Sequence, residues 1–250
     1  VRSIDFNCDL GEGCGSDAEI VPLISSASIA CGGHAGDATS MHEAVGLCLQ
    51  QGVAIGAHPS FDDRAHFGRR ELNLSLDGIR SLVNRQVTAL ASICGQHGTR
   101  LHHVKPHGAL YNLAARDRDI ADAIVGAIAS IDRRLIVYGL SGSCLTAAAE
   151  AAGLPVAHEV FAERAYDADG QLAPRGSPGA VIDAIDAALN QVRGLVRDGI
   201  VIARDGSRVS VCADTVCLHG DRPDAAAFAR ALRATLEEEG IAIRTPGLHA

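Results

Sequence analysis

The sequence predicts an α/β fold of the closed-barrel kind, a distorted TIM-like (β/α) barrel, on three observations. Short apolar runs alternate with helical patterns from end to end, as parallel strands joined by crossover helices require. The 250 residues match the usual ~250 of such a barrel. The chemically unusual side chains gather at the carboxyl ends of successive strands, where a closed barrel has its one mouth. A doubly wound open sheet shares the alternation but would concentrate those residues at one switch point.

The strands read in order as "SIDFNC", "SASIAC", "VAIGAHP", "RLHHVKP", "LIVYGL", "PVAHEVFAE", "VSVCADTVCLHG" and a last one in "IAIRTP". Each is a short β-branched or apolar run bounded by turn residues. Between them lie helical patterns at Thr39–Gln51, Leu76–Gln96, Asp119–Ile131, Ala180–Arg197 and Asp224–Glu239, with Ser40 and Glu43 spaced as a capping box for the first. No repeat, low-complexity segment or linker interrupts the pattern. Residues 1–250 therefore read as one domain, with "TPGLHA" as a loose tail.

Composition narrows the class. Apolar residues make up 47% but aromatics only 3%, with no tryptophan, so Ala, Val, Ile and Leu must fill the core. A net charge of −8 without any basic run argues against nucleic acid or an anionic membrane as partner. No apolar segment approaches the ~20 residues of a membrane span, and "VRSIDFNCDL" does not read as a signal peptide. The eight cysteines form no Cys-x-x-Cys pair and read as reduced, buried thiols, which points to the cytoplasm.

The first strand alternates strictly: Ile4, Phe6, Cys8 and Leu10 are apolar, whereas Asp5, Asn7 and Asp9 are polar and share a face. That face points into the barrel if the apolar one packs on helices; an edge strand with a solvated face gives the same pattern. Carboxylates sharing an interior repel, which raises one pKa unless a cation intervenes. Glu12, just past Gly11, extends the acidic cluster. In "ACGGHAGDATS", Gly32, Gly33 and Gly36 surround His34 before a helix start, where free N–H groups suit an anion. His58 ends the third strand. The polar loop after it, with Asp62, Asp63, Arg64, His66, Arg69 and Arg70, reads as a lid or as a solvated surface loop.

"HVKPHGALYN" holds Lys105, the only lysine; every other Lys/Arg position is arginine. A compact ammonium can be buried where a planar guanidinium does not fit. His103 and Lys105 face one way, His102 and Val104 the other; an interior Lys105 needs a carboxylate partner or a lowered pKa, and the Asp5/Asn7/Asp9 row offers partners if both strands line one barrel. A structural salt bridge would ask the same. His102 reads as structural, and His107 and Tyr111 begin the next helix. "FAERAYDADGQLAPR" supplies Glu163, Arg164, Tyr166 and Arg175; either arginine suits a substrate carboxylate or an ion pair with Glu163. "TVCLHGD" places His219 and Asp221 after a strand. No glycine–lysine phosphate loop, G-x-G-x-x-G or G-x-S-x-G is present, which removes the common nucleotide, dinucleotide and serine-hydrolase signatures.

Together, "DFNCDLGEG", "ACGGHAGD", "GAHPSFDDRAHFGRR", "HVKPHGALYN", "FAERAY" and "TVCLHGD" resemble the LamB/YcsF family in six ordered motifs over nearly the whole chain. Glu163 departs from the Asp expected in the family's "FADR". The resemblance implies a seven-stranded barrel of the glycoside hydrolase/deacetylase type. It also implies ATP-dependent opening of 5-oxoproline to L-glutamate by an A subunit working with B and C subunits. ATP, with its Mg2+, would then sit in an unconventional site or largely on a partner. Under that reading Asp9 or Glu12 activates water, and Lys105 stabilises developing negative charge. Arg164 or Arg175 holds the substrate carboxylate, and Asn7, His34 and His107 contact substrate. His34, His58 and His219 stay open as general acids, phosphate contacts or metal ligands. Two alternatives follow from the same residues. One is a metal-dependent, deacetylase-like hydrolase with Asp9, His34 and His58 as ligands; the other is a ligand-binding accessory subunit without chemistry of its own.

Overall fold

The computed structural model describes residues 3–247. Seven parallel strands close on themselves: β1 (Ser3–Leu10), β2 (Ser26–Ala30), β3 (Ala54–His58), β4 (His103–Val104), β5 (Ile136–Leu140), β6 (Val156–Phe161) and β9 (Thr215–His219). The ring is sealed by β1 against β9, with Asp5 opposite Thr215 and Asp9 opposite His219. Between them run α1 (Asp17–Ile20), α2 (Ala38–Gln51), α3 (Leu76–Gln96), α4 (Gly108–Arg116), α5 (Arg118–Ile131), α6 (Cys144–Ala151), α7 (Ile185–Asp198) and α8 (Ala225–Glu238). A short hairpin of β7 (Ile200–Ile202) and β8 (Arg208–Ser210) stands apart, and β10 (Ala242–Ile243) pairs with the start of β1.

β1 has a partner on each side and is buried from Ile4 onward, so it is no edge strand. Its apolar row, Ile4, Phe6, Cys8 and Leu10, joins the main core with the helices, and its polar row faces the barrel interior. The interior is therefore unusually polar. Ser26, Ser28, His103, Glu159 and Thr215 are all buried there, beside a small apolar floor of Ile136, Tyr138 and Ala157. Gly56 makes room: a Cβ at that position would stand 2.1 Å from His103 Nε2.

Several boundaries differ from the sequence reading, for local reasons. α2 is capped by Asp37, whose side chain accepts from Ser40 N–H while Ser40 Oγ accepts from Asp37 N–H. The box thus starts three residues before Ser40 and does not use Glu43, and Asp37 closes the helix start expected to receive an anion. The expected strand "VSVCADTVCLHG" is two strands, because Val209–Ser210 pair with β7 and Asp214 then takes the His158 N–H at 2.9 Å. α7 begins at Ile185, not Ala180, because Val181 bridges to Arg164 and Ala180 accepts from Ala165 N–H. α6, only eight alanine-rich residues, escaped the periodicity; Ser143 caps it. All eight cysteines are free thiols, but Cys14 and Cys212 are exposed rather than buried. Of the terminal "TPGLHA", Thr245 bonds to Ser25 O and Pro246 O accepts from His102, while residues 248–250 lie outside the described residues. Among the described residues no helix is long and apolar enough to cross a membrane.

Candidate active site

Lys105 lies at the bottom of the barrel mouth. β4 is short because Pro106 has no N–H to continue the ladder, and the alternation before it turns His103 and Lys105 inward. Lys105 Nζ reaches Asp9 Oδ1 at 2.6 Å, Asn7 Oδ1 at 2.8 Å, Glu159 Oε1 at 3.0 Å and Cys217 Sγ at 3.3 Å. Acceptors spread around one nitrogen match an ammonium, not a planar fork. Burial would lower its pKa, but Asp9, Cys217 and Glu159 outweigh burial and hold it well above the usual lysine range. Burial likewise opposes ionisation of Asp9, yet His58 and Lys105 keep its carboxyl well below the usual range. Asp5 has no cation, and burial raises it. The repulsion expected within the row is thus resolved at Asp9 by His58 and Lys105, while Asp5 is held by hydroxyls.

Glu159 escaped the sequence reading. It accepts from Lys105 and Asn7 with Oε1 and from Tyr111 OH with Oε2 at 2.7 Å. Its signal was a lone acid at an inward position of "VAHEVF".

His219, at the end of β9, bonds through Nδ1 to Glu163, and Glu163 Oε1 also accepts the His219 N–H. The imidazole is thereby oriented by a carboxylate, with Nε2 4.0 Å from Asp9 Oδ2. Neither arginine pairs with Glu163. Arg164 is buried and donates to Ala180 O and Ala173 O, with no carboxylate partner among the described residues; burial pushes its pKa down to about 10. Arg175 and Arg69 share Asp221 at 3.3 and 2.5 Å. Asp9, Lys105, Arg164, Arg175 and His219 line one cavity of about 880 Å³.

The remaining histidines form a second group on the opposite side of Asp9. His58 Nε2 lies 3.3 Å from Asp9 Oδ2 and 2.9 Å from His107 Nδ1. His34 Nε2 meets Glu12 Oε1 at 2.8 Å, and His34 stacks on His107 with centroids 3.7 Å apart. Burial and Asp9 raise Glu12 to about 7, and burial lowers His34 to about 4. His34 and His58 are thus grouped with Glu12 and His107, and Asp9 bridges this group to Lys105 through its two oxygens. The loop after β3 covers this group: Phe67 O accepts from His107 and Gly68 O from Ala109 N–H. Asp62 and Arg70 stay at the surface, in ion pairs with Arg85 and Asp63.

Fold and site define a β/α-barrel protein whose mouth gathers buried carboxylates, histidines, a lysine and an arginine. The pattern of the LamB/YcsF family matches residues 4–248, and the chain belongs to that family. It is 51% identical over 247 residues to a Bordetella pertussis protein named as the A subunit of 5-oxoprolinase, covering 97% of this chain and 98% of that one. It superimposes with a TM-score of 0.90 on the lactam utilization protein of Thermus thermophilus, 45% identical, covering 97% of this chain and 99% of the other. The peptidoglycan deacetylase PdaC of Bacillus subtilis shares the fold alone, at 14% identity and a TM-score of 0.51, over 98% of this chain and 88% of that one.

Proposed function

We propose that the chain is the A subunit of an ATP-dependent 5-oxoprolinase, opening the lactam of 5-oxo-L-proline by hydrolysis to give L-glutamate. The Bordetella relative's name suggests the ring. The observation that supports the reading most directly is Arg164, a buried guanidinium without a carboxylate partner among the described residues, on the wall of the cavity that also holds Lys105 and His219. A substrate carboxylate would supply the missing partner.

The lactam amide is a poor electrophile and re-closes intramolecularly, so its hydrolysis gains from coupling to ATP. Transfer of the terminal phosphoryl group to the amide oxygen gives an imidate phosphate. Water adds to that carbon, and the C–N bond breaks as the ring nitrogen takes a proton. A second water then hydrolyses the resulting γ-glutamyl phosphate to glutamate and phosphate. In this reading His219, oriented by Glu163, delivers the proton, and Asp9 accepts one from water. Glu12 does not line that cavity, so Asp9 is the better candidate for the base. Lys105 offsets negative charge at the oxygen through its field at the cavity floor. The chain has no phosphate loop, so the nucleotide and its Mg2+ are assigned chiefly to the B and C subunits.

The test is glutamate release from 5-oxoproline with ATP, by the chain alone and with B and C subunits. Release only in the full mixture is expected. No release in any mixture would remove this reading.

A further inference from the structure

Three imidazoles and a carboxylate meet beside the cavity with their inward atoms facing one another. His58 Nδ1 lies 2.7 Å from Lys105 O, and His107 Nε2 lies 2.9 Å from Phe67 O. A carbonyl only accepts, so both nitrogens carry the ring proton. Ser60 Oγ donates to Phe61 O, and therefore accepts from His34 Nδ1 at 2.9 Å. Each ring thus spends its N–H outward and turns a lone pair inward. The inward atoms face one another: His58 Nε2 and His107 Nδ1 at 2.9 Å, and His34 Nε2 and Glu12 Oε1 at 2.8 Å. Acceptor against acceptor at these distances calls for positive charge between them, supplied either by one proton on each pair or by a single metal ion serving both.

We propose that Glu12 Oε1, His34 Nε2, His58 Nε2 and His107 Nδ1 bind one transition-metal dication of the zinc type. The four atoms already lie within 4.8 Å of one another. One ion among them satisfies both short contacts at once. The outward bonds to Ser60, Lys105 O and Phe67 O are the supports that fix tautomer and orientation in metal-bound histidines. Three nitrogens and one carboxylate oxygen suit an imidazole-seeking ion, whereas Mg2+ and Ca2+ take oxygen ligands. Tetrahedral bonds of about 2.0–2.1 Å separate ligands by about 3.3 Å, so the two short pairs open by about 0.5 Å on binding. The ligands come from the ends of four neighbouring elements, β1 through β4. Their backbone supports are rigid: Gly68, at φ +63°, would drive a Cβ to 2.8 Å from His34 Cβ. The proposal does not depend on the lactam substrate.

The test uses the full chain, stripped with EDTA, loaded with Zn2+, desalted and assayed for metal. One equivalent of zinc per chain is expected, with the thermal midpoint falling on stripping and recovering on reloading. Co2+ in place of Zn2+ should give the visible bands of a tetrahedral site. His34→Gln and His107→Gln should each weaken Zn2+ binding more than about tenfold, and Ser60→Ala by about 10–100-fold with the Co2+ bands shifted. No stoichiometric zinc on the wild-type chain overturns the proposal, and so does full zinc retention by folded His34→Gln and His107→Gln. Zinc binding without glutamate release would leave this site standing and remove only the lactam reading.

Discussion

Lys105 Nζ stands 2.6 Å from Asp9 Oδ1, joining β4 to β1 inside the barrel mouth. That contact explains why a chain otherwise using arginine keeps one lysine. The ammonium sits among Asp9, Asn7, Glu159 and Cys217, almost wholly shielded from solvent. A guanidinium would need a planar fork of acceptors and more width than the interior leaves.

Replacing Lys105 with Ala leaves the buried Asp9 and Glu159 without the ammonium they share. Removing one partner of a buried pair costs about 3–5 kcal/mol, against a total stability of about 5–15 kcal/mol. The variant should fold, unfold at a lower urea midpoint, and release no glutamate in the reconstituted mixture. Lys105→Arg should not restore activity. Normal turnover by either variant would take Lys105 out of the chemistry.

Glu163→Gln keeps the shape beside His219 but removes the carboxylate that orients the ring. A general acid–base contribution is typically about 10²–10⁴-fold, so kcat should fall in that range with little change in KM. Glu163→Asp should retain much of the activity, because the charge persists. An unchanged kcat in the glutamine variant would show that His219 moves no proton.

How much of this could be read from the sequence depended on whether the signal was local. The inward row of β1 was legible because alternation fixes faces residue by residue, and Lys105 stood out by rarity alone. Glu159 was missed because its partners come from β1, β4 and α4, far apart in the chain. Arg164 looked like a partner for the adjacent Glu163, but neighbours in an extended segment point apart, and the arginine's donors go to Ala173 and Ala180. The histidines were each visible, yet what fixes the tautomers of His58 and His107 is main-chain carbonyl, which carries no sequence signal. The short α6 and the break before β9 were set by tertiary hydrogen bonds rather than by pattern.

Arg164→Met should weaken binding of 5-oxoproline more than it slows the chemistry. A charged hydrogen bond contributes about 1.5–3 kcal/mol, so KM should rise about 10–100-fold at nearly constant kcat. An uncharged analogue lacking the carboxylate should bind wild type and variant alike. If KM for 5-oxoproline is unchanged in the variant, Arg164 is only a structural clasp for residues 173 and 180.

Asp5 gives a prediction for stability rather than activity. Its carboxyl is buried and takes hydrogen bonds from Ser25, Ser26 and Thr215 at 2.6, 2.7 and 2.6 Å. Burial outweighs these donors and raises its pKa above the ordinary 3.8. A carboxyl with a raised folded pKa holds its proton more tightly folded than unfolded. The stability it confers is present below the unfolded pKa and is lost as pH rises through the folded one. Asp5→Asn has no such proton to lose. Urea midpoints measured upward from about pH 4 should therefore show the wild type losing stability relative to the variant as neutrality is approached. A difference between the two that stays constant with pH would mean that Asp5 binds its proton equally in both states, and that the hydroxyls around it fully replace water.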